Sequence, residues 1–152
     1  MERETVERLR VALGITSRYL RATDAGEGLT PTELSILATI TRRGSLRLTE
    51  LAEIERVNPT MLSRIAGRLA EAQLISRQAD ADDRRAARVE ATPSGIALHE
   101  RIRAERSASL AAHLDELSDE DVHALLAALP ALEALAEGLR RDAPGPHAGP
   151  RT

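Results

Sequence analysis

The sequence predicts a mainly α-helical fold with a small β wing: a winged helix-turn-helix domain joined to a helical dimerisation domain built from the N- and C-terminal helices. A polar cap residue stands directly before a proline at Thr30, Asn58 and Thr92, and each such pair starts a helix. Two short extended runs enclose an Asp/Arg-rich loop after the second of these helices. Both chain ends carry leucine-rich helical stretches with more apolar residues than a small domain can bury.

Composition limits the class of protein. The 152 residues fit one domain, or a small module with an oligomerisation segment. Cysteine, phenylalanine and tryptophan are absent and Tyr19 is the only aromatic residue, which excludes disulfides and thiolate metal sites and predicts an aliphatic core. No stretch approaches the length of a membrane span and the acidic start is not a signal peptide, so we predict a cytoplasmic protein without membrane contact.

Two helices are predicted before the helix-turn-helix. Residues 2–22 form the first helix. Its apolar residues near heptad spacing are Val6, Leu9, Leu13 and Leu20. The second helix starts at a capping box formed by Thr30 and Glu33, with Pro31 at its first position, and ends at Gly44.

The helix-turn-helix itself is predicted from spacing and end signals. A short helix follows Thr49, its expected N-cap, and has apolar residues at Leu51, Ala52 and Ile54. Asn58 caps a new helix over residues 59–72. The face predicted to be buried consists of Leu62, Ile65, Ala66, Leu69 and Ala72. The opposite face consists of Thr60, Ser63, Arg64, Gly67 and Arg68.

The outer face of this helix suits the major groove of DNA. It combines small polar residues with arginine and has no carboxylate before Glu71, and arginine can bond guanine edges bidentately. An ordinary solvated helix face is the alternative for this helix taken alone. The segment that follows favours DNA, because residues 74–78 and 86–91 are extended candidates around a polar loop at 80–85. From Arg56 to Arg88, seven arginines stand against four acids, 7 − 4 = +3, whereas the whole chain carries −3.

Several of these segments resemble the multiple antibiotic resistance regulator (MarR) family of bacterial transcription factors. The matching segments are LTELAE, the Pro-Thr-Met-Leu-Ser-Arg helix, the wing DDRRAARV and the ATPSG that opens the next helix. The family's Asp-x-Arg signature falls on Asp83 and Arg85. The resemblance extends over nearly the whole chain in length and helix order, but its specific motifs lie between Leu48 and Gly95. The chain departs from the family at Arg56 and Gln73, where glycine and its freedom at positive φ are usual.

The resemblance implies a homodimeric, sequence-specific DNA-binding transcriptional regulator, a repressor released by a small-molecule effector. The predicted DNA-binding residues are Asn58, Thr60, Met61, Ser63, Arg64, Arg68, Asp83, Arg84 and Arg85. Arg64 is expected to read a base and Arg68 to meet a phosphate or the groove edge. Asp83 is expected to orient Arg85 towards the minor groove, and Arg84 to meet a phosphate or an intramolecular partner. The operator is expected to be an inverted repeat.

Four segments divide the chain. Residues 1–29 are the N-terminal dimerisation helix and linker, 30–92 the winged domain, 93–141 the C-terminal dimerisation helices, and 142–152 a disordered tail. The first C-terminal helix is expected over 93–117. Ser118 caps the last helix, which Pro130 interrupts.

Functions outside sequence-specific regulation have less support. No glycine-rich phosphate loop or serine nucleophile elbow appears, so we predict no enzyme and no cofactor. A zinc site from His99 and His113 with Glu100 or Asp115 is remote, because the spacing lacks a tight ligand pair. The chain could also be an effector-independent or architectural DNA-binding protein, or a helical protein-interaction or metal-sensing module. The arginine-rich face, at Arg64, Arg68 and Arg85, argues against such a module.

Overall fold

The computed structural model describes residues 2–22, 28–80 and 86–142. The helices are α1 (Arg3–Ala22), α2 (Pro31–Arg43), α3 (Leu48–Glu55), α4 (Pro59–Glu71), α5 (Pro93–Leu114) and α6 (Asp119–Asp142). The strands are β1 (Leu46–Arg47), β2 (Ile75–Ala79) and β3 (Ala87–Ala91). The predicted fold class, mainly helical with a small β wing, is confirmed. Residues 143–152, which make up most of the predicted tail, lie outside the described residues.

The wing is a three-stranded antiparallel sheet with the order β1-β3-β2. Ile75 lies opposite Ala91 and Gln78 opposite Arg88. Both predicted strands are therefore present, each beginning one residue later than expected. Strand β1 was not predicted, because a pair of residues, Leu46 opposite Val89 and Arg47 opposite Arg88, is too short to show a periodic pattern.

A single aliphatic core joins α2, α3 and α4 to the sheet. Its members are Ile36, Leu37, Ile40, Leu51, Ala52, Leu62, Ile65, Ala66, Leu69, Leu74, Ile75 and Val89. Four of the five residues predicted for the buried face of α4 belong to it. Ala72 does not, because the helix ends at Glu71 and Ala72 is its C-cap.

Capping fixes where most of these helices begin. The side chains of Thr30, Asn58 and Thr92 each accept a hydrogen bond from a backbone N–H in the first turn, as the cap-then-proline pattern predicts. Ser118 does the same for α6 by accepting from Asp121 N at 3.1 Å. Thr49 is not the cap of α3. That helix begins at Leu48, since the backbone N–H of the N-cap Arg47 donates to Glu50 Oε2 at 2.9 Å.

Helix α5 contacts the winged unit, which is residues 30–92, at a glycine in the first turn of the helix. A Cβ atom on Gly95 would lie 2.0 Å from the carbonyl oxygen of Leu74, the residue that leads into β2. The same carbonyl accepts a hydrogen bond from Thr92 N at 3.0 Å. The first turn of α5 thus packs on the sheet at a position where the hydrogen of glycine fits and a Cβ atom does not. At its other end α5 stops at Leu114, three residues before the predicted end.

The terminal helices expose much of their apolar surface. Leucine and other large apolar side chains are exposed along α1 and α6, at Val6, Leu9, Val11, Leu13, Ile15, Leu125, Leu126, Leu129, Leu135 and Leu139. Helix α6 runs through Pro130 without ending. Its stretch Asp119–Leu139 is long and apolar enough to cross a membrane by length and composition, with a mean hydropathy of 1.4. The expectation that no stretch approaches this length was wrong, because few charges interrupt the alanines and leucines there.

Candidate nucleic-acid interface

Helix α4 presents a polar face on the surface of the winged unit. Asn58 starts the helix, its Oδ1 accepting from Met61 N at 2.8 Å. The predicted DNA-binding residues Asn58, Thr60, Met61, Ser63, Arg64 and Arg68 are all exposed. The face carries no acidic residue before Glu71, so it joins hydroxyl, amide and guanidinium donors on one side of one helix.

The turn between α3 and α4 keeps the backbone shape that glycine usually provides. Arg56 has φ 53° and ψ 40°, in the left-handed region. Gln73, after α4, has φ 61°. Both departures from the family pattern therefore fall on residues at positive φ, and each strained backbone costs about 1 to 2 kcal/mol relative to an ordinary conformation. The Gln73 carbonyl also accepts from Thr92 Oγ1 at 2.6 Å, which ties the end of α4 to the start of α5.

Helix α3 is held on α2 by hydrogen bonds to one carboxylate. Glu55 accepts from Ser35 Oγ at 2.8 Å and from Thr39 Oγ1 at 2.5 Å. Thr39 in turn accepts from Arg42 Nη2 at 3.1 Å. These bonds join the last turn of α3 to the middle of α2, so the supporting helix of the helix-turn-helix has a fixed position beneath the turn.

The base of the wing is built around a buried aspartate. Asp80 is 3% exposed and follows directly after β2. Arg47 donates to both of its oxygens, from Nε at 2.8 Å and from Nη2 at 3.0 Å, in a bidentate pair. Arg88 Nη1 lies 3.2 Å from Asp80 Oδ2. Arg88 also donates to the Ser45 side chain and carbonyl, so one carboxylate joins all three segments of the sheet.

The structure does not describe the residues predicted at the wing tip. Asp83, Arg84 and Arg85 fall outside the described residues, and with them the predicted pairing of Asp83 with Arg85. Sequence reasoning missed Arg47, Asp80 and Arg88. Arg47 and Asp80 stand 33 positions apart, and only the unpredicted strand β1 brings them together. The sequence held only a weak signal for these ion pairs, which was the presence of arginines in a predicted strand next to a loop rich in aspartate.

The two arginines of α4 have different surroundings. Arg68 Nη1 lies 3.1 Å from Oε1 of Glu33, a carboxylate that is almost fully buried. No ion pair joins Arg64 to residues 2–22, 28–80 or 86–142. The charge of Arg64 is therefore not opposed by any acidic side chain in the described residues, whereas the charge of Arg68 is opposed by Glu33.

The histidines of α5 have separate environments. Partial burial lowers the pKa of His99 below its ordinary value, and Arg42, Arg103 and Arg106 lower it further, against a smaller opposing effect of Glu100. His113 lies against Tyr19 of α1, with ring centroids 5.0 Å apart in an edge-to-face arrangement. Within the described part of the chain, no three histidine or acidic side chains come close enough to hold a metal ion.

A three-stranded wing beside a capped, arginine-bearing second helix defines the winged helix-turn-helix class. Comparison with known proteins narrows the class. Residues 29–87 match the sequence profile of the MarR family. The profile match confirms the resemblance seen in the helix and wing motifs for residues 29–87, the winged part of the chain.

Similar proteins agree with this assignment. The HTH-type transcriptional repressor MdtR of Bacillus subtilis (strain 168) is 34% identical over 96 residues, which cover 63% of this chain and 62% of the repressor. The match thus spans less than two thirds of that relative. The crystal structure of YusO from Bacillus subtilis is 28% identical, with a TM-score of 0.71, and the match covers 88% of this chain and 93% of YusO. Wild-type MarR (apo form) from E. coli shares the fold at a TM-score of 0.73 and 19% identity, over 87% of this chain and 96% of MarR.

Proposed function

We propose that this protein is a homodimeric, sequence-specific DNA-binding transcriptional regulator that acts as a repressor. The observation that carries the proposal is the exposed, acid-free face of α4, where Arg64 stands on a helix whose opposite side is buried in the core. The similarity to MdtR, a transcriptional repressor, supports the same function.

Within the chain, residues 30–92 would bind DNA. Arg64 would donate bidentately to a guanine, and Thr60 and Ser63 would bond bases or phosphates beside it. Asn58 and Met61 would approach the backbone and the groove at the start of α4, where the helix dipole favours a phosphate. At the wing, Arg85, oriented by Asp83, would enter the minor groove, and Arg84 would meet a phosphate.

Residues 1–29 and 93–141 would form the dimer. The apolar side chains exposed along α1 and α6 include Leu126 at 60% and Leu139 at 62%, and monomeric soluble proteins rarely leave such stripes uncovered. A second copy would cover them and would account for the apolar length of α6 in a cytoplasmic protein. Paired α4 helices about 34 Å apart would then read an inverted repeat with half-site centres about 10 bp apart.

A small-molecule effector would release the repressor. An open groove of about 430 Å³ lies between α1 and α5, lined by Leu13, Leu20 and Leu110 with Thr16, Ser17 and Arg106. Its volume falls in the range of ligand pockets, about 300–1,000 Å³. Because it touches the helices that would form the dimer, a bound molecule could change the spacing of the two α4 helices.

A DNA selection tests the proposal. The full chain is incubated with random-sequence duplexes, bound duplexes are enriched and sequenced, and the affinity of the enriched duplex is measured by fluorescence anisotropy. We expect an inverted repeat, and we expect Arg64→Ala to relax the preference at one base pair per half-site and to weaken binding by about 1 to 3 kcal/mol per lost contact. Failure to enrich any sequence would refute the proposal, and an equal loss on enriched and random duplexes would remove the role of Arg64.

A further inference from the structure

A buried carboxylate ties the recognition helix α4 to helix α2. Glu33 lies in the first turn of α2 and is 1% exposed. Its Oε2 accepts a hydrogen bond from Thr30 N at 2.7 Å, where the chain from α1 enters the winged unit. Its Oε1 lies 3.1 Å from Nη1 of Arg68 in α4. One side chain thus contacts both the entry to the winged unit and the helix proposed to read DNA.

The contact between Glu33 and Arg68 is an ion pair without a hydrogen bond. Oε1 of Glu33 is buried and has no hydrogen-bond partner in the described residues, although the guanidinium stands at ion-pair distance. A buried ion that loses its partner is strongly destabilising, because the remaining charge is neither solvated nor paired. The side chain of Arg68 is 53% exposed, so it extends from the buried carboxylate to the protein surface.

We propose that Glu33 is a positioning residue for DNA reading, which holds Arg68 on α2 and thereby fixes the angle at which α4 presents Arg64. The inference rests on the proposed function and changes the role of Arg68. If Arg68 moved to a phosphate, Oε1 of Glu33 would lose the charge that opposes it. Arg68 therefore stays on Glu33 when DNA is bound, and it acts through α4 instead of through the phosphate backbone.

The two roles for Arg68 differ in their dependence on salt. An arginine that neutralises a phosphate releases a counterion, and it contributes about 0.9 to the slope of log affinity against log salt. Arg68, already opposed by Glu33, should contribute nothing to the slope. Arg64, proposed to bond a guanine and not a phosphate, should also change the slope little when it is removed. A positioning role should instead lower the preference for the enriched duplex over random DNA.

The test measures the anisotropy of labelled DNA over a sodium chloride series with the full chain. The probes are the duplex enriched from random sequence and an unselected random-sequence duplex. Arg64→Ala, which removes a base contact and no phosphate contact, should leave the slope nearly unchanged and lower the ratio of enriched to random affinity. Arg68→Met, which keeps an apolar stem of similar length, should leave the slope unchanged and reduce the ratio of enriched to random affinity about tenfold or more, the size of one lost base contact. Glu33→Gln should steepen the slope by about 0.9, because it releases Arg68 to the phosphates.

Two outcomes on DNA would overturn the inference. One is a slope for Arg68→Met that flattens by about 0.9, which would make Arg68 a phosphate contact. The other is an unchanged slope for Glu33→Gln. Glutamine at this position still accepts the Thr30 N–H, since capping boxes use either residue, so this variant should fold.

Urea unfolding tests the pair without DNA. The shift in midpoint for Glu33→Gln with Arg68→Met should be smaller than the sum of the two single shifts, because the residues interact. Additive shifts would overturn the inference. If the unmodified chain bound neither duplex, the proposed function would fail by itself, and the urea series would still decide whether Glu33 holds Arg68 on α2.

Discussion

The winged unit and the terminal helices bury their apolar residues in different ways. The winged unit encloses its own core, in which Ile36, Ile40 and Leu51 are fully buried. Helices α1 and α6 are as rich in leucine, yet Leu126 and Leu139 are more than half exposed. The winged unit therefore covers its apolar residues within the chain, whereas those of the terminal helices would be covered by the proposed second copy. Stability and assembly should respond separately to changes in the two regions.

The largest effect on the winged unit is expected from Gly95→Ala. The added Cβ would lie 2.0 Å from the Leu74 carbonyl oxygen, so α5 would have to separate from the sheet. We expect the free energy of unfolding to fall by about 3 kcal/mol or more, at the upper end of overpacking effects. Gly138→Ala in α6 is the control, since its Cβ meets nothing within 4 Å, and it should stabilise its helix by about 0.5 to 1 kcal/mol. Urea denaturation followed by circular dichroism distinguishes them, and similar losses for both would contradict the close approach at Gly95.

Leu126→Asp is expected to change the free energy of dimerisation by an amount similar to the change that Gly95→Ala makes in the free energy of unfolding. Burying a leucine side chain contributes about 1.5 kcal/mol or more, and a symmetric dimer buries two copies. The dimer should therefore weaken by about 3 kcal/mol, a factor of more than a hundred. Sedimentation measures the dissociation constant. Ile54→Asp, on an apolar residue of α3 that is 38% exposed, should leave dimerisation unchanged. A stable monomer of the unmodified chain at micromolar concentration would remove the proposed interface.

A smaller loss is expected from Asp80→Asn at the base of the wing. The amide cannot accept the bidentate pair from Arg47 and also oppose Arg88. Hydrogen bonds to charged groups contribute about 1.5 to 3 kcal/mol, and both arginines reach solvent, so we expect a loss of about 2 kcal/mol in the free energy of unfolding. Glu90→Gln, an exposed change on β3, is the control and should have no measurable effect. Equal midpoints for the two variants would show that the Asp80 cluster does not stabilise the sheet.

The smallest effect concerns pH. Because the folded chain holds the pKa of His99 below its ordinary value of 6.5, unfolding takes up a proton as the solution becomes acidic. The contribution of His99 to stability is thus complete above 6.5 and is lost as the pH falls below it. His99→Gln should reduce the drop in urea midpoint between about pH 7.5 and about pH 5.5. His123→Gln, on the exposed side of α6, is the control. An unchanged drop for His99→Gln would remove His99 as a source of the pH dependence.

Local signals in the sequence predicted most of the fold. The pairs at Thr30, Asn58 and Thr92 placed three helix starts correctly, because capping depends on residues within one turn. Strand β1 and the cap of α3 at Arg47 could not be predicted. Strand β1 exists only through its pairing with β3, and Arg47 caps α3 through its backbone, which any residue can do.

The candidate site was predicted less completely than the fold. The outer face of α4 follows from helical periodicity, so the positions of Thr60, Ser63 and Arg64 on the exposed side of the helix were predicted from spacing alone. The contacts that position the site, made by Glu33 and Asp80, were not predicted. From the sequence, Glu33 is part of a capping box, and only the structure shows that its second oxygen lies beside Arg68. From the sequence, Asp80 is not distinguishable from the two other aspartates of the same loop. Both roles depend on contacts between distant segments, which charge and periodicity do not encode.

The single aromatic residue has a consequence for how unfolding is observed. Tyr19 is the only intrinsic fluorophore in a chain without tryptophan, and it lies edge-to-face on His113, where α1 meets α5. Its emission therefore reports the separation of α1 from α5 and not changes within the winged unit, whereas circular dichroism records every helix. Coincident curves from the two signals would indicate one cooperative transition. Curves that separate would show that α1 leaves α5 at a different urea concentration from that at which the winged unit melts.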